Sequence, residues 1–163
     1  MVHFCSNYLQ PASRSKTSYH LPVMKFTSAV ISLLAIALPI LAVTESLSYD
    51  TTYDNPDLAL TSVACSDGTN GLITKGYTTL GQLPTYPNVG GVYTVTGWNS
   101  AACGTCYEVT YGTTTIAVLA VDTASEGLNL SEEAMNTLTG NQAVFLGRVS
   151  VDVVATNASA CGL

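Results

Sequence analysis

Polar and apolar residues alternate with a period of two through much of the second half of the chain. Tyr107, Val109 and Tyr111 alternate with Glu108 and Thr110, and Val149, Val151 and Val153 alternate with Ser150 and Asp152, the signature of strands with one face on a core. Leu47, Tyr49, Thr51 and Tyr53 continue the pattern until Asn55-Pro56 stops it. Ile116 to Val121 is apolar on both faces, which suits a strand buried in a closed sheet. Another strand is predicted over Val92 to Thr96, after Gly90-Gly91. The helical signal is concentrated in Ser131 to Thr139: Ser131 as N-cap, Glu132 and Glu133 in the first turn, Ala134, Met135 and Leu138 on one side, and Gly140 as the stop. A shorter helical turn is expected around Thr78 to Leu83. About six short strands with few helices predict a mainly β fold, a small barrel rather than an open sheet.

Upstream the pattern changes. Lys25 precedes an uncharged run from Ala29 to Val43, and small polar residues follow at Thr44 and Ser46. This is the order of a signal peptide, with cleavage expected between Ala42 and Leu47. A membrane anchor is the competing reading, but the run is about 15 residues against the roughly 20 that span a bilayer, and Pro39 interrupts it. Met24-Lys25-Phe26 makes a better leader start than Met1, so residues 1–23 are expected to be an upstream extension without fold, residues 24–46 the leader, and residues 47–163 a single mature domain.

Removing the leader changes the available chemistry. His3, His20 and Cys5 go with it, leaving Cys65, Cys103, Cys106 and Cys161, an even set in a short secreted chain that reads as a disulfide framework. Two cations, Lys75 and Arg148, stand against ten carboxylates from Leu47 onward, a formal charge of −8. Such a surface is a poor partner for nucleic acid. Without histidine or spare thiol, Ser-His-Asp and Cys-His catalysis and imidazole zinc sites are excluded, and no metal or cofactor is expected. Cys103-Gly104-Thr105-Cys106 has the spacing of a redox motif, but a strand pattern rather than a helix follows it. Four cysteines allow three pairings, and the local Cys103–Cys106 pair makes the least use of its bridges.

Tyr49-Asp-Thr-Thr-Tyr53-Asp-Asn55, Cys65-Ser-Asp-Gly-Thr-Asn-Gly-Leu72, Thr74-Lys-Gly-Tyr-Thr-Thr-Leu-Gly81, Gly97-Trp-Asn-Ser100, Cys103-Gly-Thr-Cys-Tyr107 and the closing Ala160-Cys-Gly-Leu163 resemble, in order and in cysteine spacing, the cerato-platanin family of small secreted fungal proteins. The resemblance implies a six-stranded double-psi β-barrel with one or two short helices, similar to barwin and to the first domain of expansins, with bridges Cys65–Cys103 and Cys106–Cys161. Closing loops of roughly 40 and 55 residues should stabilise it by about 3 to 4 kcal/mol each. It further implies a wall-associated or released protein that binds chitin (N-acetylglucosamine) oligomers and acts on cellulose in an expansin-like way without bond cleavage. Family members also act on plants as elicitors and phytotoxins, which implies a plant receptor, and self-assemble at interfaces.

Several residues are candidates for sugar binding. Asp122 ends the apolar Ile116–Val121 strand and so belongs at the barrel rim, either as a functional carboxylate or as a turn aspartate bonded to backbone amides. Matching to the family adds Tyr49, Asp50 and Asn129; Tyr53 and Trp98 are weaker, since an aromatic in a small barrel is more often core. Thr123 after the aspartate and Leu128 before Asn129 depart from common members. Asn129-Leu-Ser131 and Asn157-Ala-Ser159 are N-glycosylation sequons, and a glycan on Asn129 would obstruct the groove, so Asn129 is expected unmodified. An enzyme reading needs a second acid about 5 to 9.5 Å from Asp122, with Glu108 or Asp50 as partner. A third class, an interfacial structural protein, would show an exposed apolar patch that the sequence does not locate.

Overall fold

The structure, a computed structural model, describes residues 42–163. The expectations for residues 1–23 and for nearly all of the leader lie outside the described residues. Among the described residues there are six strands and two α-helices: β1 (Val43–Tyr49), β2 (Val89–Val92), β3 (Cys106–Tyr111), β4 (Thr114–Thr123), β5 (Leu128–Leu130), α1 (Glu132–Thr139), α2 (Ala143–Leu146) and β6 (Arg148–Thr156). The strands close into a barrel in the order β1-β5-β2-β4-β3-β6. The sheet is mixed: β1·β5 and β2·β4 are parallel and the other four pairings antiparallel. This is the six-stranded double-psi barrel that the sequence led us to expect.

The period-two segments became the walls. Val109, Val151 and Val153 point into the core while Glu108 and Asp152 face solvent. The apolar run at Ile116 lies inside the longest strand, β4, where Val118 to Val121 are fully buried. One face of β4 lines the barrel and α1 covers another part of it. The helix has the expected ends: Ser131 Oγ accepts from the Ala134 N–H at 3.0 Å, and Gly140 stops it with φ 66°, a left-handed value glycine adopts without strain.

Three expectations need correction. The first strand ends at Tyr49, because Asp50 caps a 3₁₀ turn over Thr51–Asp54; Tyr53 is nevertheless buried. β1 also begins upstream, at Val43, and Val43–Ser46 pair with β6. Cleavage after Ala42 leaves this strand whole, whereas a cut just before Leu47 would remove four of its residues. The strand placed at Val92–Thr96 is instead Val89–Val92, with both glycines inside it. They are required there by close approach, since a Cβ on Gly90 would stand 2.3 Å from the Asn129 carbonyl oxygen. After Val92 the chain turns, with the Val95 N–H donating to the Val92 carbonyl. The helical turn expected at Thr78–Leu83 is a 3₁₀ turn at Leu80–Gln82, and the strand β5 and helix α2 were not anticipated.

Two disulfides are present among the described residues, Cys65–Cys103 and Cys106–Cys161. The cysteines of the CxxC segment therefore belong to different bridges, and Cys106 starts β3. The first bridge holds the long excursion between β1 and β3, which contributes only β2 to the barrel. The second fastens the C-terminal 3₁₀ turn, Ala158–Cys161, to the wall.

Candidate functional site

Register places the predicted residues together. Ser48 of β1 pairs with Asn129 of β5, Asn129 with Gly91 of β2, and Gly91 with Asp122 of β4, so one row crosses four neighbouring strands. With strands about 4.8 Å apart, Asn129 and Asp122 lie two spacings apart, about 10 Å between backbones. Tyr49 pairs with Leu130 in the adjacent row, and the Asp50 N–H donates to the Leu130 carbonyl at 2.8 Å.

A bulge puts Asp122 in this row. Gly90 pairs with Ala120 but Gly91 pairs with Asp122, so Val121 is the extra residue, and bulges re-aim side chains in this way. Gly91 cannot carry a side chain there, because its Cβ would lie 2.3 Å from the Thr123 carbonyl oxygen. Leu128 and Leu130 are fully buried, so the intervening Asn129 faces outward; its Oδ1 accepts from Ser48 Oγ at 3.1 Å.

Asp122 is an acceptor hub. Its Oδ1 accepts from the Ala64 N–H at 3.0 Å and the Thr123 N–H at 2.8 Å, and its Oδ2 accepts from the Tyr53 hydroxyl at 3.2 Å. The carboxylate thus does what the turn reading expected, accepting from backbone amides, and it fastens two distant segments to the rim. Burial, reinforced by the negative charge of Asp122 and by its hydrogen bond, raises the Tyr53 phenol far above its ordinary value, so Tyr53 remains a donor. Asp50 Oδ1 accepts from the Thr52 N–H at 2.8 Å, which starts the turn that carries Tyr53.

One depression borders the row and another lies beside α1. The first, of about 260 Å³, is lined by Ser48, Asn129, Arg148 and the Thr123–Glu126 loop. Arg148 Nη1 donates there to Ser46 Oγ at 2.8 Å and pairs with Glu126 at 3.1 Å, an exposed ion pair of small energetic weight. The other, of about 460 Å³, is lined by Thr51, Asp54, Asn136, Asn141 and neighbouring acids of α1. Asn129 lines the first; Tyr49, Asp50 and Asp122 line neither. Sequence reasoning missed Asp54, whose two carboxylate oxygens accept from the Glu132 and Glu133 N–H groups at 2.9 and 3.0 Å and so cap α1 from 78 residues away. Its carbonyl also accepts from the Tyr86 hydroxyl. Nothing local marks such a cap.

The geometry discriminates between the acid partners considered for Asp122. Glu108 pairs with Ala117, five residues along β4 from Asp122, or about 17 Å, too far for a paired-carboxylate mechanism. Asp50 stands closer, with both aspartates acting on the Tyr53 phenol. Among the described residues no cluster of three or more His, Cys, Asp or Glu is placed to hold a metal ion, and no helix is long and apolar enough to cross a membrane. The arrangement offers outward hydroxyl, amide and carboxylate groups in a line, the equipment for hydrogen-bonding a polyhydroxylated ligand.

The sequon residues are equally informative. Ser131 is fully buried, donating from Oγ to the Pro87 carbonyl at 2.7 Å while capping α1. Asn157 and Ser159 are exposed.

Comparison with known proteins agrees with the architecture. The family model described as Cerato-platanin matches residues 45–163. The chain is 48% identical over 145 residues to the heat-stable 19 kDa antigen of Coccidioides immitis, covering 86% of this chain and 99% of that protein. Crystalline cerato-platanin 3 from M. perniciosa superposes with a TM-score of 0.72 at 50% identity, covering 74% of this chain and 100% of that one. The solution structure of the fungal elicitor cerato-platanin gives 0.65 at 42%, covering 71% and 95%. Barrel, bridges and sequence together establish that the chain belongs to the cerato-platanin family.

Proposed function

We propose that this protein is a secreted carbohydrate-binding member of its family that takes chitin oligomers along the Ser48–Asn129–Gly91–Asp122 row, with Tyr49 and Asp50 at one end. The observation that carries the reading is the row itself: three outward polar side chains on four paired strands, set in register by a bulge and left uncrowded by Gly91. Asp122 acts as a fixed acceptor whose oxygens already take three hydrogen bonds, and the ligand is bound without cleavage. Cellulose is a second polymer, and loosening follows from competition for the hydroxyl groups that hold neighbouring chains together. A plant receptor that responds to the protein, as the relative described as a fungal elicitor implies, completes the reading.

An NMR titration with chitin and cellulose oligomers tests it. Shifts are expected at Tyr49, Asp50, Asp122 and Asn129, and no shift with any oligomer rejects the proposal. Sustained release of reducing ends that Asp122→Asn abolishes would replace binding by catalysis.

A second reading rests on α2. Val144 and Phe145 are 67% and 87% exposed, an apolar tip suited to self-assembly at an interface. Phe145→Ser should raise the surface tension of a dilute solution and leave sugar binding unchanged.

A further inference from the structure

We infer that Trp98 is a stacking platform for the apolar face of a pyranose ring, and that it extends the proposed sugar-binding row onto the loops. Trp98 is the chain's one tryptophan and is 64% exposed. Its indole N–H is already engaged, donating to Asp67 Oδ1 at 2.6 Å. What the side chain still offers is the flat face of its ring, held at a fixed angle. A sugar presents a matching apolar face of C–H groups, with hydroxyls around its edge.

The support of the ring is built rather than incidental. Asn99, in the left-handed region at φ 57°, accepts from the Asn70 N–H through Oδ1 and from Asn70 Nδ2 through its carbonyl, both at 2.9 Å. These bonds join the tryptophan loop to the loop that carries Asp67, and Cys65–Cys103 clamps the same two segments. The chain thus fixes an exposed aromatic with a hydrogen bond, an asparagine clasp and a disulfide. The carboxylate of Asp67 lies at the ring edge, where it can also accept from a sugar hydroxyl. The strongly acidic surface disfavours an anionic ligand and leaves a neutral glycan as the fitting one.

The platform is close to the row. Ala64 donates to Asp122 and Asp67 accepts from Trp98, and these anchors are three residues apart, at most about 10 Å of chain. One oligomer can therefore meet both. This extension rests on the row reading, and a single titration separates the two.

The experiment is a titration of the folded protein with the N-acetylglucosamine hexamer, followed by tryptophan emission and by amide shifts. Emission reports on this platform alone, because no other tryptophan exists. It should shift to the blue and saturate together with the amides of Asp122 and Asn129. Trp98→Ala should weaken binding about tenfold and Trp98→Phe about threefold or less, while Asp67→Ala should speed the decay of tryptophan anisotropy and lie between them. Saturating amide shifts with unchanged emission, or wild-type affinity in Trp98→Ala, would overturn the platform and spare the row. Emission that shifts while the row amides stay still would support the platform and overturn the row; silence in both would overturn both.

Discussion

The barrel wall and the long excursion between β1 and β3 share one apolar core but hold their backbones in different ways. The wall is a continuous ladder of backbone hydrogen bonds around buried Leu and Val, so its order is shared over many equivalent contacts. The excursion, residues 50 to 105, contributes only β2 to the barrel and otherwise runs through turns. It shares the apolar core through Leu60, Leu72, Leu80 and Val95, but outside β2 it has no ladder, and its polar fastening is concentrated in a few points: the Cys65–Cys103 bridge, the Asp122 carboxylate, the Asp54 cap and the Asn99 clasp. The proposed binding elements sit where these anchors meet the rim. Distributed contacts give the scaffold, and point contacts give it positioned side chains.

The comparison breaks most visibly at the disulfide. Replacing Cys65 and Cys103 together by alanine releases a loop closed across 38 residues and should cost about 4 kcal/mol. Thermal melting should show the loss. Amide exchange should show it unevenly, with residues 50 to 105 losing protection well before β3 and β6. Leu119→Ala, a fully buried wall residue, should by contrast cost about 3 kcal/mol and lower protection everywhere. Equal exchange profiles for the two variants would erase the distinction.

Asp122→Ala should cost about 2 to 3 kcal/mol by stranding the Ala64 N–H and the Tyr53 hydroxyl. Denaturant titration measures it, and Asp122→Asn, which keeps an acceptor of the same shape, should recover about half.

Alkaline pH probes the same anchor through Tyr53. Burial, with the charge of Asp122 behind it, raises this phenol above its ordinary pKa of 10.0. The fold therefore favours the protonated form: its contribution is complete below pH 10 and is lost as the pH rises through and beyond that value. Stability measured between pH 8 and 11.5 should fall above pH 10, less steeply in Tyr53→Phe.

The smallest effect belongs to Asp54→Ala, about 1 kcal/mol for loss of the cap on α1. Circular dichroism should register slight fraying of the helix, and the barrel amides should not move.

The same contrast explains what could be read in advance. β3, β4, β6 and α1 carry their periodicity and caps in contiguous residues, so local pattern sufficed. β2 was misplaced because Gly90 and Gly91 signal a break when read locally, while their reason is the backbone of β5 and of Thr123 pressing against them from a distance. β5 has three residues, too few for any period to declare itself. Of the proposed site, Asp122 was legible as the end of an apolar run, but the bulge that aims it was not, since it exists only in the pairing of two strands. Tyr49, Asp50 and Asn129 came from family resemblance. Trp98 was weighed as core and stands in solvent, because the hydrogen bond that fixes it reaches across 31 residues.

Closure of the barrel bears on resistance to proteolysis. A protease must draw its substrate out as a length of extended chain, and among the described residues each of the six strands already has a neighbour on both sides. Cutting the wall therefore waits on opening of the whole barrel rather than on fraying of one edge. A small protein built this way can persist in a fluid rich in hydrolases.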